Sequence, residues 1–248
     1  MTSPVSRVAP PLPGRAIVRQ TWSDVSFLHW QVDTELVRPH LPQGVHPDEF
    51  EGTSWVGLVG FVLGDHRFLP LPPVPVLGTF AEVNVRLYTI DDDGNRGVVF
   101  CSLDAHRLLP VLAARAMFSL PYIWARTGVR RGGDVFDYAV LRHGRTHTRS
   151  RFTVRAAGER DDSDLATFLT ARWGFHERTY GRTIYARNVH APWPVERGIL
   201  ERIDDGLLAA AGFADAAGRP PDLVHVARGG VVTDFSAGRP VGSERHSG

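Results

Sequence analysis

Lysine is absent from this chain of 248 residues, and all 28 basic side chains are arginine. No mechanism that needs a lysine Schiff base can be its own, because arginine stays protonated and is a poor amine nucleophile. Codon bias in a GC-rich genome explains the replacement without a selected role. Cysteine is almost absent: Cys101 stands alone, which excludes an internal disulfide and a multi-thiolate metal site and fits a reducing, cytoplasmic setting. Charge of one sign is not in excess. The formal net charge is +1, with no long run of like charge, so nucleic acid is not an expected partner. No stretch reaches about 18 uncharged apolar residues, and the proline-rich start has neither a basic nor an apolar leader region. Neither a membrane span nor an export signal is expected.

What is present suits a core: 43% of the residues are hydrophobic. The length fits one domain, taken as residues 15–238, with residues 1–14 and 239–248 as flexible tails poor in burial material. β-branched and aromatic runs predict strands at 53–63, 79–90 and 97–105. The turn Asp91-Asp92-Asp93-Gly94-Asn95 makes the last two antiparallel neighbours, since aspartate, asparagine and glycine tolerate the backbone angles required. Residues 135–143 and 150–156 form a second predicted hairpin, 182–189 another strand, and 223–227 with 231–235 a final hairpin split by Gly229-Gly230. Helices are expected at 108–119, at 164–172 behind a Ser163 cap, and at 204–211 before Gly212. The four prolines in 65–78 predict an ordered loop or lid. The pattern reads as α+β: a mainly antiparallel sheet with a few helices.

The strand around residue 84 carries the most chemical information. Its period of two places Phe80, Glu82, Asn84, Arg86 and Tyr88 on one face and Ala81, Val83, Val85 and Leu87 on the other. The second face is core. The first is either solvent-exposed or the wall of a cavity, in which case Glu82 is a carboxyl with a raised pKa and Arg86 a bidentate clamp for a substrate carboxylate. Asn84 lies between them, and Arg115 on the 108–119 helix adds a further substrate-binding candidate. His29 shares a strand face with Val25 and Phe27 and reads first as a hydrogen-bonded core histidine; His106 and His190 read similarly. His143 and His147 have metal-like spacing but fall at a turn with no third ligand nearby, so no metal is expected. Without GxGxxG, GxxxxGK[ST] or GxSxG, no nucleotide cofactor and no hydrolase triad is supported.

Several of these strings, in order, resemble one family. Phe27-Leu28-His29-Trp30, Leu41-Pro42, the run from Phe80 to Tyr88, Ser102-Leu103-Asp104-Ala105, Leu120-Pro121-Tyr122 and His190-Ala191-Pro192-Trp193 together look like the YqjF-like family, DUF2071, over residues 20–235. That family is placed in the acetoacetate-decarboxylase-like superfamily. The resemblance implies a closed, mainly antiparallel β-barrel around a central pocket, with a few peripheral helices. Residues 114–125 are similar to the decarboxylase segment GREIFGYPKKLA, in which the first lysine forms the Schiff base and the second lowers its pKa. Here those positions hold Tyr122 and Ile123. Decarboxylase chemistry therefore fails to carry over at its central residue, while Glu82 resembles in context a pocket glutamate of that enzyme.

Two functions stay in view. One is a lysine-independent lyase, dehydratase, cyclase or isomerase acting on a small oxo or carboxylic acid. Glu82 would be its acid or base, Tyr122 an oxyanion donor, Arg86 an anion clamp, and His29 or His106 a proton relay. The other is a small-ligand-binding protein that kept the pocket and lost catalysis. A purely structural role has less support, without repeats or heptads. No cofactor is expected, a small molecule is the expected partner, and a homo-oligomer is left open.

Overall fold

The computed structural model describes residues 5–70, 79–106, 119–144 and 147–242. Among these, thirteen strands join into one sheet. They are β1 (Val18–Val32), β2 (Val45–Pro47), β3 (Ser54–Phe68), β4 (Phe80–Asp91), β5 (Arg96–Ala105), β6 (Tyr122–Gly132), β7 (Val135–Arg142), β8 (Arg149–Arg160), β9 (Gly174–Thr179), β10 (Arg182–Val189), β11 (Val195–Asp205), β12 (Leu223–Phe235) and β13 (Arg239–Pro240). Pairing is antiparallel except where β5 meets β6 and β9. Beyond the main order β13-β10-β9-β5-β6-β7-β8-β11-β12-β1-β3-β4-β2, β4 also pairs with β5 and β10 with β12. A hydrogen-bonded circuit thus runs β4-β5-β9-β10-β12-β1-β3 and back to β4, which leaves few open edges.

The predicted β4–β5 hairpin forms, with Gly94 at φ +83° in its turn. Asp91 organises that turn by accepting from the backbone amides of Asp93 and Asn95. The β7–β8 hairpin also forms. The helix Asp164–Thr170 begins where expected, with Ser163 Oγ accepting from the Ala166 amide. Along β4 the alternation holds. Val83, Val85 and Leu87 enter a hydrophobic core with Leu28, Trp30, Phe136, Tyr138 and Phe152. Each such fully buried aliphatic side chain contributes on the order of 1.5–3 kcal/mol. The solvent alternative for the other face is overturned, since Glu82, Asn84 and Arg86 are all buried.

Three expectations are corrected. Residues 223–235 are one strand, not a hairpin: Gly229 and Gly230 sit beside a bulge, where the β1–β12 register shifts between Ser23 and Val25. Glycine here relieves a local kink instead of reversing the chain. The helix at 204–211 shrinks to Leu207–Ala210, because Asp204 and Asp205 still belong to β11 and the Asp205 carboxylate accepts from the Leu208 amide. Residues 65–68 of the expected loop extend β3, and 71–78 lie outside the described residues. The helix expected at 108–119 falls almost wholly outside them too, as does Arg115. Strands β6, β9 and β11 were not expected. In the stretches read as tails, the Ser6 and Pro11 carbonyls accept from Trp173 and Arg187, and β13 pairs with β10.

Candidate active site

Strand register brings distant residues together. Leu103 of β5 lies opposite Asn84 of β4 on one side and opposite Tyr122 of β6 on the other. Tyr122, some forty residues from Glu82 in sequence, is thereby placed beside the polar face of β4. Glu82, Asn84, Arg86 and Tyr122 all line one cavity of about 90 Å³. That is room for several waters or a small organic molecule. The remaining wall is largely aromatic and aliphatic, including Trp22, Phe68, Phe100, Phe175, Trp193 and Phe235. Gln20, His66, Thr170, Arg172, Asn188 and His190 contribute polar groups.

Tyr122 donates its hydroxyl proton to Glu82 Oε2 at 3.1 Å. Burial pushes the Glu82 carboxyl up from 4.5 to about 8; the Tyr122 hydrogen bond pulls it back and the charge of Asp104 adds to the rise. At pH 7 Glu82 is therefore roughly nine-tenths protonated, an acid that becomes a base on a small rise in pH. Burial and the neighbouring Glu82 hold the Tyr122 phenol well above its ordinary value, so it remains a donor. Asp104, fully buried, is gripped by Arg142 through two bonds of 2.6 and 2.9 Å and accepts from Ser102 Oγ at 3.0 Å.

Arg86 donates from Nε to the Tyr88 hydroxyl at 3.2 Å and from Nη2 to the Leu169 carbonyl at 3.2 Å. Among the described residues no carboxylate reaches ion-pair distance of it. The Tyr88 hydroxyl, accepting from Arg86, also shares a hydrogen bond of 2.6 Å with His29 Nε2. His29 is fully buried, and burial with the nearby Arg86 charge holds its pKa well below the ordinary value. It is a neutral imidazole two hydrogen bonds from Arg86, through Tyr88, and does not line the cavity, the position of a core histidine that braces the site. His106 is exposed at the end of β5, with its ring edge-on to Phe80, and is also absent from the cavity wall. Asn84 lines the wall with its Oδ1 buried and unpartnered.

Sequence reasoning missed the second guanidinium. Arg172, buried just beyond the helix Asp164–Thr170, pairs with Asp48 at 2.6 Å and donates to the Phe168 carbonyl at 2.7 Å. His190, read as a core histidine, lines the cavity, and burial takes it down to about 4, so it is neutral there. Nothing in the local sequence of Arg172, Gln20 or Asn188 marks them; only the closing of the strands does.

A family model described as "Uncharacterized conserved protein" and designated DUF2071 matches residues 19–230. The chain belongs to the DUF2071 family. The protein YqjF of Bacillus subtilis (strain 168) is 34% identical over 191 residues, covering 75% of this chain and 77% of that one. Solved structures share the fold of this DUF2071 protein at much lower identity. Acetoacetate decarboxylase of Legionella pneumophila subsp. pneumophila str. Philadelphia 1 superposes with a TM-score of 0.66 at 12% identity, covering 94% of this chain and 91% of the other. An acetoacetate-decarboxylase-like enzyme of Sphingomonas wittichii RW1 gives 0.64 at 11%, with coverages of 92% and 94%. The enduracididine biosynthesis enzyme MppR complexed with pyruvate gives 0.61 at 17%, with coverages of 96% and 98%. The mainly β architecture is thus that of acetoacetate-decarboxylase-like enzymes. Among the described residues no helix is long and apolar enough to cross a membrane.

Proposed function

We propose that this DUF2071 protein is an enzyme acting on a small oxo or carboxylic acid by acid–base chemistry, without an imine intermediate. One observation carries the reading. A buried carboxyl poised near neutrality, hydrogen-bonded to a phenol, shares a cavity wall with a guanidinium that has no carboxylate partner among the described residues. Arg86 is the clamp for the substrate carboxylate. Glu82, once ionised, takes a proton from the carbon next to the carbonyl and returns it as the acid. Tyr122 donates to the oxyanion that forms, and Asn84 orients the bound molecule. Such a step opens enolate routes to lyase, dehydratase, cyclase and isomerase reactions. The pyruvate bound by MppR supports an oxo acid as the class of substrate. We take residues 15–238 as one folded unit whose pairing circuit closes as a β-barrel around this cavity, in a cytoplasmic setting that suits a single cysteine. Arg115 keeps its proposed place as a substrate contact, and His29 serves as support for Tyr88 and Arg86.

The test is exchange of the carbon-bound hydrogens of a 2-oxo acid in D₂O, followed by proton NMR. The wild type should speed exchange, and Glu82→Gln should abolish it while still binding the acid. Undiminished exchange by the variant removes Glu82 from the mechanism. The non-catalytic alternative draws on the tyrosine at the decarboxylase lysine position. Native mass spectrometry showing a retained small molecule that stays unchanged on incubation would favour it.

A further inference from the structure

We infer that Arg172 joins Arg86 in a two-guanidinium site and that the cavity takes a doubly charged small acid, a dicarboxylate. The inference deepens the proposed reading of the same cavity and takes from it only the carboxylic-acid class of ligand.

The two guanidiniums are docked side by side. Arg86 Nη2 donates to the Leu169 carbonyl and Arg172 Nε to the Phe168 carbonyl, consecutive acceptors in the last turn of the helix Asp164–Thr170. Both also pack on the ring of Tyr88, with Cζ atoms 5.4 and 5.0 Å from its centroid. Both line the cavity and both are buried. Helix-end carbonyls carry only partial negative charge, so they orient these cations without neutralising them. Among the described residues the one carboxylate in ion-pair contact with either is Asp48, and Asp48 is shared: it takes Arg172 Nη1 at 2.6 Å and Arg96 Nη1 at 2.7 Å. Arg172 and Arg96 thus share one buried carboxylate while Arg86 has none within ion-pair distance among the described residues, beside a cavity whose own carboxyl, Glu82, is mostly protonated at neutral pH.

Buried charge is costly unless something pairs with it. The donors left over show where the partner would bind. Arg172 Nη2 is buried with no hydrogen-bond partner, and the bonds of Arg86 occupy Nε and Nη2, leaving Nη1. One carboxylate on each guanidinium engages both sets of spare donors, whereas a monoacid would leave one set unused.

Calorimetric titration of the full chain at low salt with 2-oxoglutarate and with 2-oxopentanoate tests this, because the two acids differ by one carboxylate on the same carbon chain. The dianion should bind about tenfold more tightly or better. Arg172→Gln should bring the two affinities within about twofold by weakening the dianion alone, and Arg172→Lys, which keeps the charge on Asp48, should retain most of the preference. Circular dichroism checks that each variant folds; if the glutamine variant does not, the wild-type preference and the lysine variant decide. Equal affinities, binding of neither acid at millimolar concentration, or a preference that survives in folded Arg172→Gln would overturn the inference. Displacement of 2-oxoglutarate by inorganic phosphate at equal concentration would also overturn it, by pointing to a phosphate site. The proposed catalysis fails separately: a clear dianion preference without hydrogen exchange sinks the enzyme reading alone, and exchange without preference sinks the dianion site alone.

Discussion

Glu82 makes the stability of this protein depend on pH in a direction opposite to that of most carboxylates. In the unfolded chain its proton leaves near 4.5, whereas in the folded protein burial holds it until about 8. Between those values the folded state binds more protons than the unfolded state, so stability falls as pH rises. The contribution is fully present below about pH 4.5 and is gone above about pH 8. At about 1.4 kcal/mol per pH unit, the loss reaches about 3 kcal/mol by pH 7 and about 5 kcal/mol once Glu82 is ionised in both states. Glu82→Gln mimics the protonated acid and cannot ionise, so it serves as the reference in which every other titrating group cancels. Urea unfolding followed by tryptophan fluorescence, from pH 4 to 9, should show the wild type declining relative to the variant by these amounts. A difference that stays constant within about 1 kcal/mol across that range would refute the placement of Glu82 in a desolvated cavity.

Tyr122→Phe removes the hydrogen bond that lowers the Glu82 pKa, so the midpoint in the same pH series should move upward; an unmoved or lowered midpoint counts against the Tyr122–Glu82 contact. Arg142→Ala strips buried Asp104 of its bidentate partner and should cost about 3–5 kcal/mol in urea unfolding, with a loss under about 1 kcal/mol refuting the pairing. A Cβ at Gly57 would lie 2.9 Å from the Tyr88 hydroxyl and 3.3 Å from a His29 ring carbon. Gly57→Ala should therefore cost about 1–3 kcal/mol and weaken acid binding through Arg86, measured by melting and calorimetry, although Gly57 does not line the cavity. Wild-type affinity in that variant would show that the His29–Tyr88–Arg86 chain does not position the clamp.

Local chemistry made part of this legible in the sequence. The Asp-Asp-Asp-Gly-Asn turn specifies the β4–β5 hairpin, and the period of two along β4 separates Val83, Val85 and Leu87 from Glu82, Asn84 and Arg86 by local pattern alone. The same sequence gave no sign of β6, whose exposed arginines and glycines at 126–132 break the usual strand alternation, and it disguised β12, where a glycine pair at a bulge looks like a turn. The β4 pattern and the decarboxylase-like segment point to Glu82, Arg86 and Tyr122, but their meeting depends on β5 pairing with β4 on one side and β6 on the other. Arg172 and His190 reach the cavity through long-range strand order, which no local pattern encodes. His29 and His106 were attractive by residue type alone; the fold puts one behind the wall and the other at the surface.

The central claim is that Glu82 is the base that works on an oxo acid in this cavity. Its most direct test is the pH dependence of enzyme-catalysed hydrogen exchange from a 2-oxo acid, above the uncatalysed background and at acid concentrations well below saturation. The rate should climb with pH to an inflection near the Glu82 value of about 8, because only the ionised carboxylate can take the proton, and Glu82→Gln should show no such rise. An inflection near 4.5, or equal exchange by the glutamine variant, would contradict it.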